Sequence, residues 1–481
     1  MLFNSYPFLV FFVVVTSLYF ILPHSKRWLL LLLASCYFYM AFVPVYIVIL
    51  GFTIVIDYIA GIQIEKAKGR KRKLFLILSL IANIGVLVIF KYYNFINFNL
   101  TFLFKSLSWN NPLPYLSILL PIGLSFHTFQ AMSYTIEVYR GNHPAEKHFG
   151  IYALYVMFYP QLVAGPIERP QNILYQFREK HNFDYKLVTG GLKLAAWGLF
   201  KKVVIADRLS VVVDSVYNHP QNFNSLGLII ATVFFAFQIY CDFSGYTDMA
   251  IGIARVMGFK LMINFNKPYQ AKSLNEFWQR WHISLSSWFR DYLYIPLGGN
   301  RVAIPRWYFN LFIVFLISGL WHGASWTYII WGALHGFYLI FALITKSIRT
   351  KFNHAVFIDQ FSFLPVLTTF LLVCFAWIFF RADNLQTAFY IAKNIFTGLP
   401  GLIKNPHHLI QDYGLNNKEM IFSILLILFL EGFNYLQSHK NFLQVFAQKP
   451  IYVRWLAYYG LLIMILVFGE FSDRQFIYFQ F

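Results

Sequence analysis

The chain has 481 residues, 58% of them hydrophobic and only 12% charged, with a mean hydropathy of +0.56. A soluble domain carries about a quarter charged residues, so this composition excludes a water-soluble globular protein and indicates a chain dissolved in lipid. The formal net charge of +19 does not signal nucleic acid, because the basic residues fall in short loops between apolar runs, as the positive-inside rule requires.

Apolar runs near spanning length occur at 6–22, 28–43, 45–62, 74–91, 115–136, 226–256, 308–322, 326–345, 362–380, 420–436 and 455–470. A helical span needs about 20 residues, so the shorter runs are marginal. The first run, Tyr6 to Leu22, has no basic residue before it and no small-residue cleavage site after it, and reads as a retained helix rather than a signal peptide. The segment Glu65-Lys66-Ala67-Lys68-Gly69-Arg70-Lys71-Arg72-Lys73 sets six basic residues against one acid, which places it in the cytoplasm. Counting back three spans puts Lys26 and Arg27 inside and the N-terminus outside.

Residues 137–225 cannot be divided into spans. Short apolar pieces alternate there with Gly165, Pro166, Pro170, Gly190 and Gly191. Irregular backbone at membrane depth survives only where protein buries it or it lines a cavity, so re-entrant or tilted pieces are expected. Farther on, Arg301 and Arg306 precede the run 308–322, and Lys346, Arg349 and Lys351 follow 326–345. Residues 308–345 thus read as a helical hairpin rising from the cytoplasm and returning to it. The following spans put the tail 471–481 outside, with Arg381 at an external end counting against that orientation.

Ser318-Gly319-Leu320-Trp321-His322-Gly323-Ala324-Ser325-Trp326 tops the hairpin. The 14 residues from Tyr308 to His322 rise roughly 21 Å of a ~30 Å hydrocarbon core. His322 is therefore intramembrane and near the outer side, where an ionisable group is functional by default and a neutral imidazole can act as a general base. Gly319-x-x-x-Gly323 and Gly332-x-x-x-Gly336 let another backbone approach closely. Upstream, Asn275–Asp291 is too polar to span and includes Arg280, Trp281, His282, Ser284 and Arg290. It reads either as an interfacial helix with Trp anchors and snorkelling Arg, or as a vestibule for an anionic donor such as a phosphorylated thioester carrier, with Arg280, Trp281, Ser284 and Arg290 binding that donor.

Asp242, Ser244 and Asp248 interrupt the apolar run 226–256, which reads as a broken helix or the wall of a polar cavity rather than a carboxylate catalyst. His407-His408 lacks a nearby third ligand, and no metal site is expected. Cys36, Cys241 and Cys374 lie far apart, form no disulfide or zinc pattern, and read as small buried hydrophobes.

Six stretches in order carry a resemblance: Pro121-Ile122-Gly123-Leu124-Ser125-Phe126, Leu162-Val163-Ala164-Gly165-Pro166-Ile167, Asp242-Phe243-Ser244-Gly245-Tyr246-Thr247-Asp248, Arg280-Trp281-His282-Ile283-Ser284-Leu285-Ser286, Tyr294-Ile295-Pro296-Leu297-Gly298-Gly299 and Gly319-Leu320-Trp321-His322-Gly323. Over essentially its whole length the chain resembles the bacterial membrane-bound O-acyltransferases (MBOAT), specifically the alginate and peptidoglycan O-acetyltransferase subunits related to the D-alanyl transfer protein DltB. The resemblance implies an all-α polytopic fold of about 11–13 spanning helices with re-entrant and interfacial pieces, arranged as a ring with a thin centre. It forms one membrane domain, with N-terminal helices over 1–136, a catalytic core over 137–345, C-terminal helices over 346–470 and a tail over 471–481. His322 falls on the family's catalytic histidine and His282 on its second polar position. Asp242, Ser244, Asp248, Trp321 and Ser325 are assigned to the tunnel wall.

The resemblance further implies a cytoplasmic thioester donor, acetyl-CoA or an acyl carrier, and no tightly bound cofactor. An extracytoplasmic SGNH-type partner (AlgJ-like or PatB-like) would pass the acyl group to a cell-envelope polysaccharide. The expected location is the bacterial cytoplasmic membrane, with both termini outside. The closing residues Phe476-Ile477-Tyr478-Phe479-Gln480-Phe481 are similar to the C-terminal motif of the small partner peptide of D-alanylation systems, which makes Tyr478 a candidate acyl carrier. The alternatives are an interfacial aromatic anchor for Tyr478, and for the chain a flippase of lipid-linked sugar or a scaffold recruiting a secreted transferase.

Overall fold

The structure is a computed structural model of the chain, describing residues 1–117, 120–355, 363–398, 400, 414–439, 442–471 and 476–477. These contain helices and loops and no β-strand. Two compact units are present: Met1–Ala195 with Thr247–Ile263, and Ala196–Tyr246 with Asn264–Gln480.

In the first unit, α1 (Tyr6–Ile21), α2 (His24–Met40) and α3 (Tyr46–Lys66) are separated by tight connections. Ser5 caps α1 by accepting the Phe8 N–H, with a proline in the first turn, the standard start of a helix. α4 (Gly69–Leu87) passes through a π turn at Val88–Tyr92 into α5 (Tyr93–Ser106). Asp57 on α3 is fully buried and accepts hydrogen bonds from Ser79 (2.6 Å) and Asn83 (2.9 Å) on α4, a polar clasp between two apolar helices.

The apolar run at 115–136 does not become one span. α6 is Leu124–Arg140, preceded by Gly123 at φ +75°, where an added Cβ would lie 2.9 Å from the Leu162 carbonyl. Pro121 and this glycine end the run as helix, because the left-handed turn and the close backbone favour a residue without a side chain. The region 141–218 holds short pieces, α7 (Phe149–Met157) and α8 (Pro170–Ile173), then α9 (Tyr185–Phe200), a π turn at Lys201–Ala206 and α10 (Asp207–Asn218). Gly165 and Pro170 lie at breaks as expected. Gly190 and Gly191 instead sit inside α9, where a Cβ at Gly191 would lie 2.5 Å from the Gly252 carbonyl of α11 (Ser225–Val256). These glycines serve close helix packing, not irregular backbone.

α11 is an unbroken helix of 32 residues. The expectation of a break at Asp242–Asp248 fails because Asp242 finds partners off the helix and leaves the backbone ladder intact. In the second unit α12 (Leu274–Arg280) and α13 (Ile283–Phe289) are short. α14 (Ile304–His322) and α15 (Trp326–Ile344) form the expected hairpin, followed by α16 (Lys346–Ala355), α17 (Phe363–Arg381), α18 (Leu385–Thr397), α19 (Asn417–His439), α20 (Phe442–Ala447) and α21 (Ile451–Phe468). A Cβ at Gly319 would lie 2.3 Å from the Tyr328 carbonyl, and one at Gly332 would lie 2.3 Å from that of Phe315. The hairpin therefore packs backbone on backbone.

Among the described residues eight helical stretches are long and apolar enough to cross a membrane: α3, α4 with α5, α11, α14, α15, α17, α19 and α21. Their outward faces are apolar. On α21, Leu456, Leu462, Ile463, Leu466 and Val467 are all exposed, a surface that only lipid satisfies. The protein is thus an all-helical, multi-pass membrane protein. Arg381, which counted against an external end to α17, is paired with Asp214 at 2.8 Å and Asp383 at 3.4 Å, so its charge is met locally.

Candidate active site

α14 ends at His322, which is 3% exposed. Gly323 follows in extended backbone, and Ser325 starts α15 by accepting the Thr327 N–H at 3.3 Å. Trp321, Trp331 and Phe380 surround the imidazole, with ring centroids at 5.0, 5.0 and 5.3 Å and near-perpendicular planes. This is a dry aromatic compartment at a helix C-terminus. The partial negative charge of that helix end lies where a base becomes positive as it takes up a proton.

Between α12 and α13 the chain reverses at His282, a non-glycine residue at φ +44°. Such backbone costs of order 1 kcal/mol and persists only when its surroundings impose it. Here Asn264 imposes it: its carbonyl accepts the Ile283 N–H at 2.9 Å, and its side-chain oxygen accepts the Ser284 N–H at 3.2 Å and hydroxyl at 3.0 Å. The same oxygen lies 3.1 Å from His282 Nδ1. A backbone N–H can only donate, so this Asn264 atom is the oxygen, and His282 Nδ1 must carry the proton. In the neutral ring the lone pair is then on Nε2. Burial lowers the His282 pKa from 6.5 to about 3, which keeps the ring neutral. Phe243 meets the ring edge-on at 4.7 Å, and Trp321 lies at 6.2 Å. Trp321 thus stands beside both His282 and His322.

The predicted donor-binding residues divide. Trp281 is 1% exposed inside an aromatic stack with Phe277 (5.5 Å), Phe265 (5.0 Å) and Trp377 (5.1 Å). Ser284 is spent on Asn264. Arg280 pairs with Glu276 at 2.6 Å, and Arg290 pairs with Asp291 at 2.8 Å; both are partly or largely open to solvent. Trp278, Trp281 and Trp288 are buried, so the tryptophans of this segment face protein and do not serve as interfacial anchors.

Of the predicted tunnel residues, Trp321 adjoins both histidines and Ser325 caps the helix after His322. Asp242 forms an ion pair with Lys202 at 2.9 Å, Lys202 also meets Asp207 at 2.8 Å, and Lys201 donates to Ser244 at 2.8 Å. Asp248 is half-buried in the first unit. Tyr478 and His407-His408 lie outside the described residues, but Phe476 and Ile477 are described and buried. The Ile477 N–H donates to Asp242 at 2.9 Å.

Asn264 and Lys202, which the structure places beside the candidate residues, carry no local signal, and His335 carries a weak one. His335 on α15 accepts from Trp278 Nε1 at 3.4 Å, and its ring is 5.0 Å from Trp331, which is also 5.0 Å from His322. The one available hint was Gly332-x-x-His335-Gly336, an ionisable residue on a glycine-lined helix face.

The family model for MBOAT, membrane-bound O-acyltransferase family, matches residues 85–385, which spans both histidines. The chain is 38% identical over 442 residues to a peptidoglycan O-acetyltransferase of Helicobacter pylori, covering 84% of this chain and 81% of that protein. It is 40% identical over 400 residues to a probable alginate O-acetylase AlgI of Pseudomonas aeruginosa, covering 82% and 75%. A teichoic acid D-alanyltransferase of Bacillus subtilis is 27% identical over 273 residues, covering 54% of this chain and 68% of that protein. With a buried histidine at the head of a glycine-packed hairpin and matches of this extent, the chain belongs to the membrane-bound O-acyltransferase family and is an acyltransferase.

Proposed function

We propose that the protein moves an acetyl group from a cytoplasmic thioester, acetyl-CoA, to the outer face of the bacterial cytoplasmic membrane, for O-acetylation of an envelope polysaccharide of the alginate or peptidoglycan kind. The observation that carries this reading is the pair His322 and His282, both buried and both against Trp321. The names of the extensively matched relatives, an O-acetyltransferase and an O-acetylase, support acetyl as the group and polysaccharide as the acceptor.

In the proposed reaction His322 takes the phenol proton of Tyr478. The phenolate oxygen attacks the thioester carbonyl, the C–S bond breaks, and the departing thiolate takes the proton back from His322. His282, with its Nε2 lone pair held in place by Asn264, is available to accept a hydrogen bond from a reacting O–H or from protonated His322. The product is an aryl ester. A phenol has a pKa near 10 against about 8.5 for a thiol, so the ester keeps much of the thioester's activation. A serine hydroxyl on an extracytoplasmic SGNH-type partner then attacks the ester carbonyl, releases the phenol, and acetylates the polysaccharide. No polymer has to enter the bilayer.

The experiment is replacement of Tyr478→Phe in cells, with envelope acetate as the readout. Acetate should fall to the level of a His322→Ala strain while the protein remains in the membrane. Full acetylation by the Phe variant would remove Tyr478 from the path.

A further inference from the structure

The C-terminal tail does not simply trail from the last span. Arg208 donates to the Phe468 carbonyl at 3.0 Å and pairs with Glu470 at 3.3 Å, and the Glu470 N–H donates to the Val203 carbonyl at 2.8 Å. The chain is thereby turned back onto α10 and the π turn before it. Farther along, Phe476 is 1% exposed and Ile477 4% exposed. Phe476 stacks on Tyr246 at 4.7 Å and lies 5.6 Å from Phe243, the ring that meets His282 at 4.7 Å.

Asp242 is the polar anchor at this point. One carboxylate oxygen faces Lys202 at 2.9 Å, and the other accepts the Ile477 N–H at 2.9 Å. Lys202 is shared with Asp207 at 2.8 Å, and all three side chains are nearly fully buried. Two carboxylates meet the Lys202 ammonium, and the neighbouring buried Lys201 donates to Ser244 on the same helix as Asp242. A buried carboxylate is costly unless it is paired and hydrogen-bonded, and the Ile477 N–H is a donor that the chain's own tail supplies to Asp242.

We infer that Asp242, held by Lys202, is a latch that docks this chain's own C-terminal tail beside His282, making Asp242 a positioning residue for the tail. Its catalytic consequence rests on the proposed role of Tyr478, the residue after Ile477. In this arrangement acyl transfer to the tail occurs within one chain and needs no separate carrier peptide.

The latch can be cut from either side. Ile477→Pro removes the donor without touching the charge cluster, and proline suits the 3-10 backbone at residue 477. Ile477→Ala keeps the donor. Asp242→Asn leaves one acceptor oxygen for two donors. Amide hydrogen exchange is read by mass spectrometry on the full chain in lipid nanodiscs, comparing the 471–481 peptide with 451–468, alongside acetyl transfer. The wild type and Ile477→Ala should protect the tail. Ile477→Pro and Asp242→Asn should speed its exchange at least about tenfold, as loss of a charge-assisted hydrogen bond implies, with 451–468 unchanged and transfer falling in parallel. A tail as protected in Ile477→Pro as in wild type would overturn the latch and leave the relay standing. A released tail with undiminished transfer would overturn the relay and with it the positioning role.

Discussion

His322 ends a helix, faces three aromatic rings and has a glycine next in sequence, features that suit the buried base proposed above. It stood out as a candidate in the sequence because an ionisable residue inside an apolar run has few structural uses. His282 stood out only by resemblance, since the residue that orients its ring, Asn264, is eighteen positions away and unremarkable in sequence. Lys202 was hidden for a similar reason: Asp207 lies only five residues on, across the π turn, but Asp242 is brought to it by the tertiary fold. The neutral, buried state of His282 has a thermodynamic signature. With the folded-state pKa lowered to about 3, the unfolded chain binds the extra proton between about pH 6.5 and 3. This group therefore withdraws stability as pH falls through that window, by up to about 1.4 kcal/mol per pH unit, and contributes no slope above it. Melting curves of the solubilised protein between pH 7 and 5 should show a shallower acid decline for His282→Gln than for wild type. Parallel declines would mean that the ring takes up its proton as readily in the fold as in the unfolded chain, and that burial does not lower its pKa.

At the level of elements, hydropathy located the spanning helices well and their interruptions badly. The run 308–345 resolved into α14 and α15 because its two glycine pairs and its flanking basic residues are local signals. The run 115–136 misled because Pro121 and Gly123 act through a turn packed on the Leu162 carbonyl, a contact no window of sequence contains. Gly190 and Gly191 misled in the opposite sense: they look like breakers, yet α9 needs them where α11 comes close. The hairpin supplies a direct test. Gly319→Ala and Gly332→Ala each thrust a methyl group to within 2.3 Å of a backbone carbonyl. Each should destabilise by about 1–3 kcal/mol, as overpacking does, and depress transfer by displacing His322. Gly460→Ala on α21, with nothing within 4 Å of its Cβ, should be neutral or stabilising by up to about 1 kcal/mol. Equal melting temperatures for all three variants would show that the hairpin does not depend on that contact.

For the whole molecule, exposed apolar helix faces and a charge of +19 fit one physical picture, a protein whose solvent is lipid and whose loops are sorted by charge. The proposed relay requires the tail to lie outside, the side that charge counting from the basic loop at 66–73 leads one to expect for both termini. In a variant lacking Cys36, Cys241 and Cys374, a cysteine at Lys71 should react with a membrane-impermeant maleimide only after permeabilisation. One at Ser5 should react in intact spheroplasts. The reverse pattern would invert the protein and leave the tail on the donor's side.

The central claim is that His322 drives acyl transfer from a thioester donor to the chain's own tail. The most direct measurement mixes purified protein with isotopically labelled acetyl-CoA and follows intact-protein and peptide mass, comparing wild type with His322→Ala. A labelled C-terminal peptide in the wild type is predicted, with labelling slowed by about 10²–10⁴-fold in the variant, the range for loss of a general base. Equal labelling of both proteins would contradict the account at its centre.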